Sequence, residues 1–414
     1  MIDLSAGTAK ANTAFSFHDK REFRSEELVD GKKHRTQVTG LHNTWVWFAI
    51  KSRIFFLVMY NVRSIKKAIE YYRQIIGLRE NVWNGNMKKI YQVGGKYFYN
   101  QYTPAWPSKQ YDQMIVRETR RRIFNETNHS CSFIFFAITR KCPLKCEHCF
   151  EWDNLNKKET FSLKELDLIV DHYKKQGMFQ MHLSGGEPML RVKEMVVLLN
   201  NHARQVDFWV LTSGFNCTRE NLSQLKQAGL KGIVVSIDHH LSELHDLFRR
   251  KAGSFDAALK AIHYAQELQL ATAISVCVTK SFLDGGHLWP YAEFAKDLGV
   301  EFVQLLEPRN IGNYKDQDVL LDEKHILLLE DFFKSINHSR DTKSYPTFSY
   351  HGFHQRRIGC FAGSRSMYID SAGNVHSCPF CHTAAYNIKS FIENDTLANI
   401  PQKQNECPRF GKVI

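Results

Sequence analysis

From residue 131 onward the chain repeats one pattern, a short apolar run followed by a longer amphipathic stretch. Six such runs are legible: "SFIFFAIT" (132–139), "MHLS" (181–184), "FWVLT" (208–212), "GIVVSID" (232–238), "ATAISVCV" (271–278) and "EFVQLLE" (301–307). Parallel strands can be joined only by a crossover long enough to hold a helix, so this alternation predicts a parallel sheet with right-handed connections. Ser162 and Glu165 form a capping box that opens the first of these helices, "LKELDLIVDHYKKQ". Six units fall short of the eight that close a barrel. The expected fold is therefore α/β, a partial (β/α)6 TIM-like barrel with its chemistry at the carboxyl ends of the strands.

The flanks differ from this core. Residues 1–43 are polar, charged and aperiodic, and are expected to form a flexible arm. Residues 44–130 read as a basic, aromatic, mixed α/β extension, with a helical pattern in "RSIKKAIEYYRQII" and a hairpin in "KIYQVGGKYFYNQY". The radical change in pattern at 131 opens the core, 131–310, after which 311–345 supply a connecting helix and loop and 346–414 a small cysteine-bearing domain. Charge is uneven: residues 1–130 hold 22 Lys and Arg against 11 Asp and Glu, which is +11 of the chain's +12. The window "WVWFAIKSRIFFLVMYNV" approaches spanning length, but Lys51 and Arg53 near its middle weigh roughly 5 kcal/mol or more against insertion.

Ten cysteines in 414 residues are too sparse for a secreted disulfide scaffold, and "MIDLSAGTAKANTAF" lacks the pattern of a secretory signal. A reducing, cytoplasmic setting is expected, with thiols free or holding metal. Cys142, Cys146 and Cys149 are spaced Cys-x3-Cys-x2-Cys on the loop after the first strand. Three thiolates from one short loop can bind three corners of an iron-sulfur cubane and leave the fourth iron open. A closed zinc site with His148 as fourth ligand is the alternative from spacing alone. The second strand ends in "LSGGEP", where Gly185 and Gly186 permit close approach to the backbone and Glu187 offers a carboxylate to an ammonium group.

Together, CxxxCxxC after strand one and GGEP after strand two resemble the radical S-adenosylmethionine (SAM) superfamily over residues 131–310. The resemblance implies a [4Fe-4S] cluster on Cys142, Cys146 and Cys149, with SAM chelated at its open iron and cleaved reductively to a 5′-deoxyadenosyl radical. It further implies cofactor contacts from His148 beside the adenine, from Gly185, Gly186 and Glu187 at the amino group, and from Ser213, Ser236 and Asp238. Members often carry glycine after that aspartate, whereas His239 and His240 follow here. Arg249 or Arg250 could reach the SAM carboxylate, or belong to a solvated helix face, and Glu307 and Arg309 are expected near the mouth of the barrel.

The stretch from Cys360 to Cys378, with Gly373 between, resembles the start of SPASM and twitch auxiliary-cluster domains. That implies one auxiliary [4Fe-4S] cluster on Cys360, Cys378, Cys381 and Cys407, with zinc on the same thiols as the alternative. Enzymes of this kind imply a flavodoxin- or ferredoxin-type electron donor and a peptide or protein substrate. A small or lipid-linked substrate is the second reading, and a non-catalytic iron-sulfur or zinc protein the third. The basic aromatic region 44–130 could lie on a membrane or dock an acidic protein. No nucleic-acid module is present in the sequence, and no nucleic-acid partner is expected.

Overall fold

The computed structural model describes residues 36–82, 89–123, 131–339, 341–382 and 384–399. In chain order the described strands are β1 (Gln37–Val38), β2 (Ile90–Val93), β3 (Lys96–Phe98), β4 (Phe133–Ala137), β5 (Gln180–Ser184), β6 (Asp207–Thr212), β7 (Gly232–Ser236), β8 (Ala271–Cys277), β9 (Phe302–Leu306), β10 (Thr347–Tyr350), β11 (Ser366–Ile369), β12 (Asn374–His376) and β13 (Tyr386–Asn387). The six expected strands are β4 to β9, each paired parallel with the next. Helices follow as expected, and Ser162 and Glu165 make both bonds of the capping box on Leu163–Lys175.

The parallel sheet is longer than six strands. β10 adds in parallel to β9 at one edge, and β11 adds in parallel to β4 at the other. The stretch expected to open the cysteine-bearing domain thus begins with a strand of the core sheet. The sheet runs on through β12 and β13, which are antiparallel, so β12 occupies the edge of β11 that closure would need. The result is an open barrel.

Strand periodicity sorts the side chains. Ile134, Phe136, Met181, Leu183, Val210, Val235 and Val276 face outward and join the helices' apolar residues in one buried cluster. Trp209, Val234, Ala271, Ala273 and Phe302 face inward, and their partners come from the N-terminal extension: Tyr91, Val93, Phe98 and Ala105. The hairpin β2–β3, turned by Gly94 and Gly95 with both φ values positive, and the segment after it floor the barrel at the amino ends of its strands.

Polar contacts seal this floor. Ala105 N–H donates to Asp207 at 3.3 Å, Gln180 Nε2 to the Gln101 carbonyl at 2.8 Å, and Thr36 Oγ1 to Glu301 at 2.8 Å. The described residues, 36 to 399, belong to one compact unit. Within the arm expected to reach residue 43, residues 36–43 are β1 and the start of the helix Gly40–Val62, because Gln37 and Val38 pair with Tyr91 and Ile90. Residues 1–35 and Cys407 lie outside the described residues.

The floor yields a stability prediction. Phe98 is buried against Trp209, with ring centroids 6.1 Å apart and nearly perpendicular. Phe98→Ala is expected to destabilise the whole barrel by about 3–5 kcal/mol, read as a lowered urea midpoint followed by far-ultraviolet circular dichroism. An unchanged midpoint would mean that the extension folds apart from the barrel.

Candidate active site

The loop from Lys141 to Phe150 leaves the carboxyl end of β4 and is held from three sides. Asn156, in the left-handed region, accepts from Cys142 N–H through its side chain at 3.1 Å. Phe248 accepts from Glu147 N–H at 2.9 Å. The loop after β9 supplies the third side: Asn313 N–H donates to the Cys149 carbonyl at 2.9 Å, and its side chain donates to the Glu147 carbonyl at 3.0 Å. Gly312 is required there, since its φ is +57° and a Cβ would stand 2.2 Å from the Cys149 oxygen.

Gly185 and Gly186 have a related use. A Cβ on Gly185 would lie 2.5 Å from the Thr139 carbonyl, and one on Gly186 would lie 2.3 Å from that of Lys141. The pair lets β5 close onto the cysteine loop, and Gly186 and Glu187 N–H groups donate to those two carbonyls. Glu187 is buried, and both its oxygens are engaged within the protein. It accepts from Met189 N–H (3.1 Å), Thr212 Oγ1 (2.7 Å), Ser213 N–H (2.9 Å) and Ser213 Oγ (2.6 Å). It therefore ties the end of β5 to the end of β6 and fixes Ser213.

Asp238 and Arg249 form the charged centre of the site. Arg249 Nε donates to Asp238 at 2.6 Å, and Nη1 lies 3.6 Å from the Cys146 sulfur. Both side chains are buried, and Cys277 N–H donates to the other oxygen of Asp238 at 2.9 Å. Burial pushes the Asp238 carboxyl up, but the Arg249 charge together with His148, His245 and the Cys277 N–H outweighs it, and the net shift is downward. Arg250, by contrast, is exposed. Ser236 is half-buried beside Ser275, whose hydroxyl donates to it at 3.3 Å. His148 stacks on Phe248 at 4.9 Å, and burial draws its imidazole down to about 4, so the ring is neutral at physiological pH.

The three cysteines suit a metal cluster. Burial pushes the Cys142 thiol up to about 12 and raises Cys146 and Cys149 as well. Without metal these thiols stay protonated at neutral pH; a bound metal cation would make three adjacent thiolates tolerable in such a place. Cys142 and Cys149 keep partial exposure. His148 Nδ1, buried and without a hydrogen-bond partner among the described residues, fits a neighbouring cofactor.

His239 and His240 stand apart from this group. His239 packs on Phe282 and His287 in the helix layer, with ring centroids 5.6 and 4.4 Å away. Glu307 is likewise committed: it binds Arg309 (2.8 Å), Arg356 (2.7 Å) and the Tyr350 hydroxyl (2.7 Å), a closed network beside β10.

The C-terminal cysteines gather separately. Cys360, Cys378 and Cys381 share one small cluster with Ala362, and Cys378 and Cys381 are bridged across a turn. The expected hairpin is β11–β12, turned at Gly373 with φ +92°. Phe150, next to Cys149, meets Tyr368 of β11 and Phe380, each with centroids 5.8 Å apart, while buried Glu151 bonds the hydroxyls of Tyr368 and Ser371. The two cysteine sets are thus joined by Phe150 and Phe380. None of the nine described cysteines is in a disulfide.

Residues 136–298 match the sequence model of the Radical SAM superfamily. These residues form a radical SAM domain, and members of that superfamily are enzymes. The family uses a [4Fe-4S] cluster and SAM. A GTP 3′,8-cyclase of Staphylococcus carnosus is 24% identical over 280 residues, 62% of this chain and 81% of that protein. An AdoMet-dependent heme synthase of Methanosarcina barkeri is 24% identical over 277 residues, 62% of this chain and 79% of that one. The fold is similar to that of Streptococcus suis SuiB, solved bound to its precursor peptide SuiA, with TM-score 0.55 and 15% identity over 84% of this chain and 81% of SuiB.

Two parts of the candidate site carry little signal in the sequence. The Gly312–Asn313 buttress carries only a Gly-Asn turn signal. The choice of Arg249 over Arg250 has a signal in helical phase, since Arg249 shares a face with buried His245 four residues earlier.

Proposed function

We propose that this enzyme cleaves SAM reductively on Cys142, Cys146 and Cys149 and uses the radical to remove hydrogen from a peptide or protein. When bound, the cluster supplies the electron that releases methionine and the 5′-deoxyadenosyl radical. Cys142, Cys146 and Cys149 hold its iron, and Arg249 sets the charge beside the Cys146 sulfur. His148 borders the adenine, and Ser213 and Ser236 face the ribose. Glu187 and Asp238 act mainly as positioning residues, the first fixing Ser213 and the second Arg249, while Gly185 and Gly186 bring the SAM side of β5 against the cysteine loop. Cys360, Cys378 and Cys381, with Cys407, hold an auxiliary [4Fe-4S] cluster, and a flavodoxin- or ferredoxin-type protein donates electrons.

The observation that carries the peptide reading is the second cysteine set mounted on the edge of the barrel through β11. The likeness of fold to an enzyme solved with a precursor peptide supports it. A small-molecule substrate is the second reading, favoured by the names of the cyclase and the heme synthase, whose matches span about three fifths of the chain. Anaerobically reconstituted enzyme, given SAM, dithionite and candidate short precursor peptides, is expected to release 5′-deoxyadenosine and change the mass of one peptide. Deoxyadenosine release with no altered peptide, but with turnover of a nucleotide or porphyrin, would replace the first reading with the second.

A further inference from the structure

We propose that the helix Gly40–Val62 is a docking surface for an anionic lipid bilayer, independent of the reaction proposed above. One side of this helix is spent on the protein: Val46, Trp47, Ile50, Ile54 and Val58 are buried against the helices Ile65–Val82 and Lys109–Ile123. The opposite side is apolar as well, and it is open. Leu41, Trp45, Phe48, Phe56 and Tyr60 are 89, 60, 69, 57 and 82% exposed. At about 100° per residue these positions form one stripe roughly a third of the circumference wide, running the length of the helix. Ile65 and Ile69 of the next helix are exposed beyond its end. Exposed apolar side chains grouped on one helix face mark an interaction surface, whereas scattered single ones need no explanation.

Charge selects the occupant. Arg53 and Arg63 flank Phe56, Leu57, Met59 and Tyr60 around one shallow hollow, and Lys66 and Lys67 are exposed just past it. A second copy of the chain would bring these cations against their own kind. An anionic headgroup layer complements them, and Trp and Tyr are suited to the boundary between headgroup and acyl chain. Among the described residues this helix has the length and apolar composition to cross a membrane. Its buried face and the ion pair between Arg53 and Asp112 instead fit a helix lying flat on the bilayer.

The test is co-sedimentation of the full reconstituted chain with vesicles of phosphatidylcholine alone or with about one third phosphatidylglycerol. Binding to the anionic vesicles is expected, reduced at least tenfold in a Phe48→Glu/Phe56→Glu variant. Lys66→Gln/Lys67→Gln, which leaves the apolar stripe intact, is expected to weaken it roughly thirtyfold at about 1 kcal/mol per cation. SAM cleavage without vesicles should match wild type in both variants, which separates this surface from the reaction. Any of three results overturns the proposal: no vesicle binding with a dimer that the phenylalanine variant dissociates, no vesicle binding with Trp45 shielded from acrylamide in the free chain, or vesicle binding that survives both variants.

Discussion

Replacing Cys142, Cys146 and Cys149 together by alanine is expected to abolish 5′-deoxyadenosine release and leave about four of the roughly seven to eight irons of the reconstituted wild type. The loss is total because no other thiols stand at the carboxyl end of β4 among the described residues. The remaining iron follows from geometry: Cys360, Cys378 and Cys381 gather in their own cluster at the far edge of β11. The variant is expected to fold, since the loop is held by backbone bonds to Asn313 and Phe248 and by the Asn156 side chain rather than by its sulfurs. Iron and sulfide analysis with electron paramagnetic resonance reads the outcome. Retention of all the iron would place the cluster elsewhere, and zinc in the wild type would remove the radical chemistry altogether.

How far this site was legible in the sequence depends on the range of the interactions that build it. β4 to β9 announce themselves because strands buried on both faces, like "GIVVS" and "ATAISVC", run almost continuously apolar. β10 and β11 have four residues each, "TFSY" and "SMYI", and their parallel partners lie about 45 and 230 residues away in sequence, so local pattern does not mark them as core strands. The barrel floor is hidden for the same reason: nothing in "KIYQVGGKYFYNQY" says that Phe98 meets Trp209. The cysteine spacing and GGEP locate the candidate cofactor end of the barrel. They cannot show that Glu187 spends its lone pairs on Thr212, Ser213 and Met189, because that depends on where the end of β6 comes to rest.

Asp238→Ala is expected to be the most damaging single substitution away from the cysteines. It would leave the Arg249 guanidinium charged and buried with only the Cys146 sulfur beside it, and breaking a buried pair from one side costs about 3–5 kcal/mol. Removing both charges, as in Asp238→Leu/Arg249→Met, should cost less than the single change, because no uncompensated charge remains. The pH dependence has a definite sign. The carboxyl of Asp238 is held below its ordinary value in the fold, so its contribution is present in full above the ordinary carboxylate range, near 3.9, and is lost as pH falls through the depressed folded value. The stability gap between wild type and Asp238→Asn should therefore be wide at pH 7 and narrow in acid. Urea denaturation of the metal-free chain across that range reads it. Were Asp238 a cofactor contact alone, metal-free stability would be unchanged at every pH and only the KM for SAM would rise.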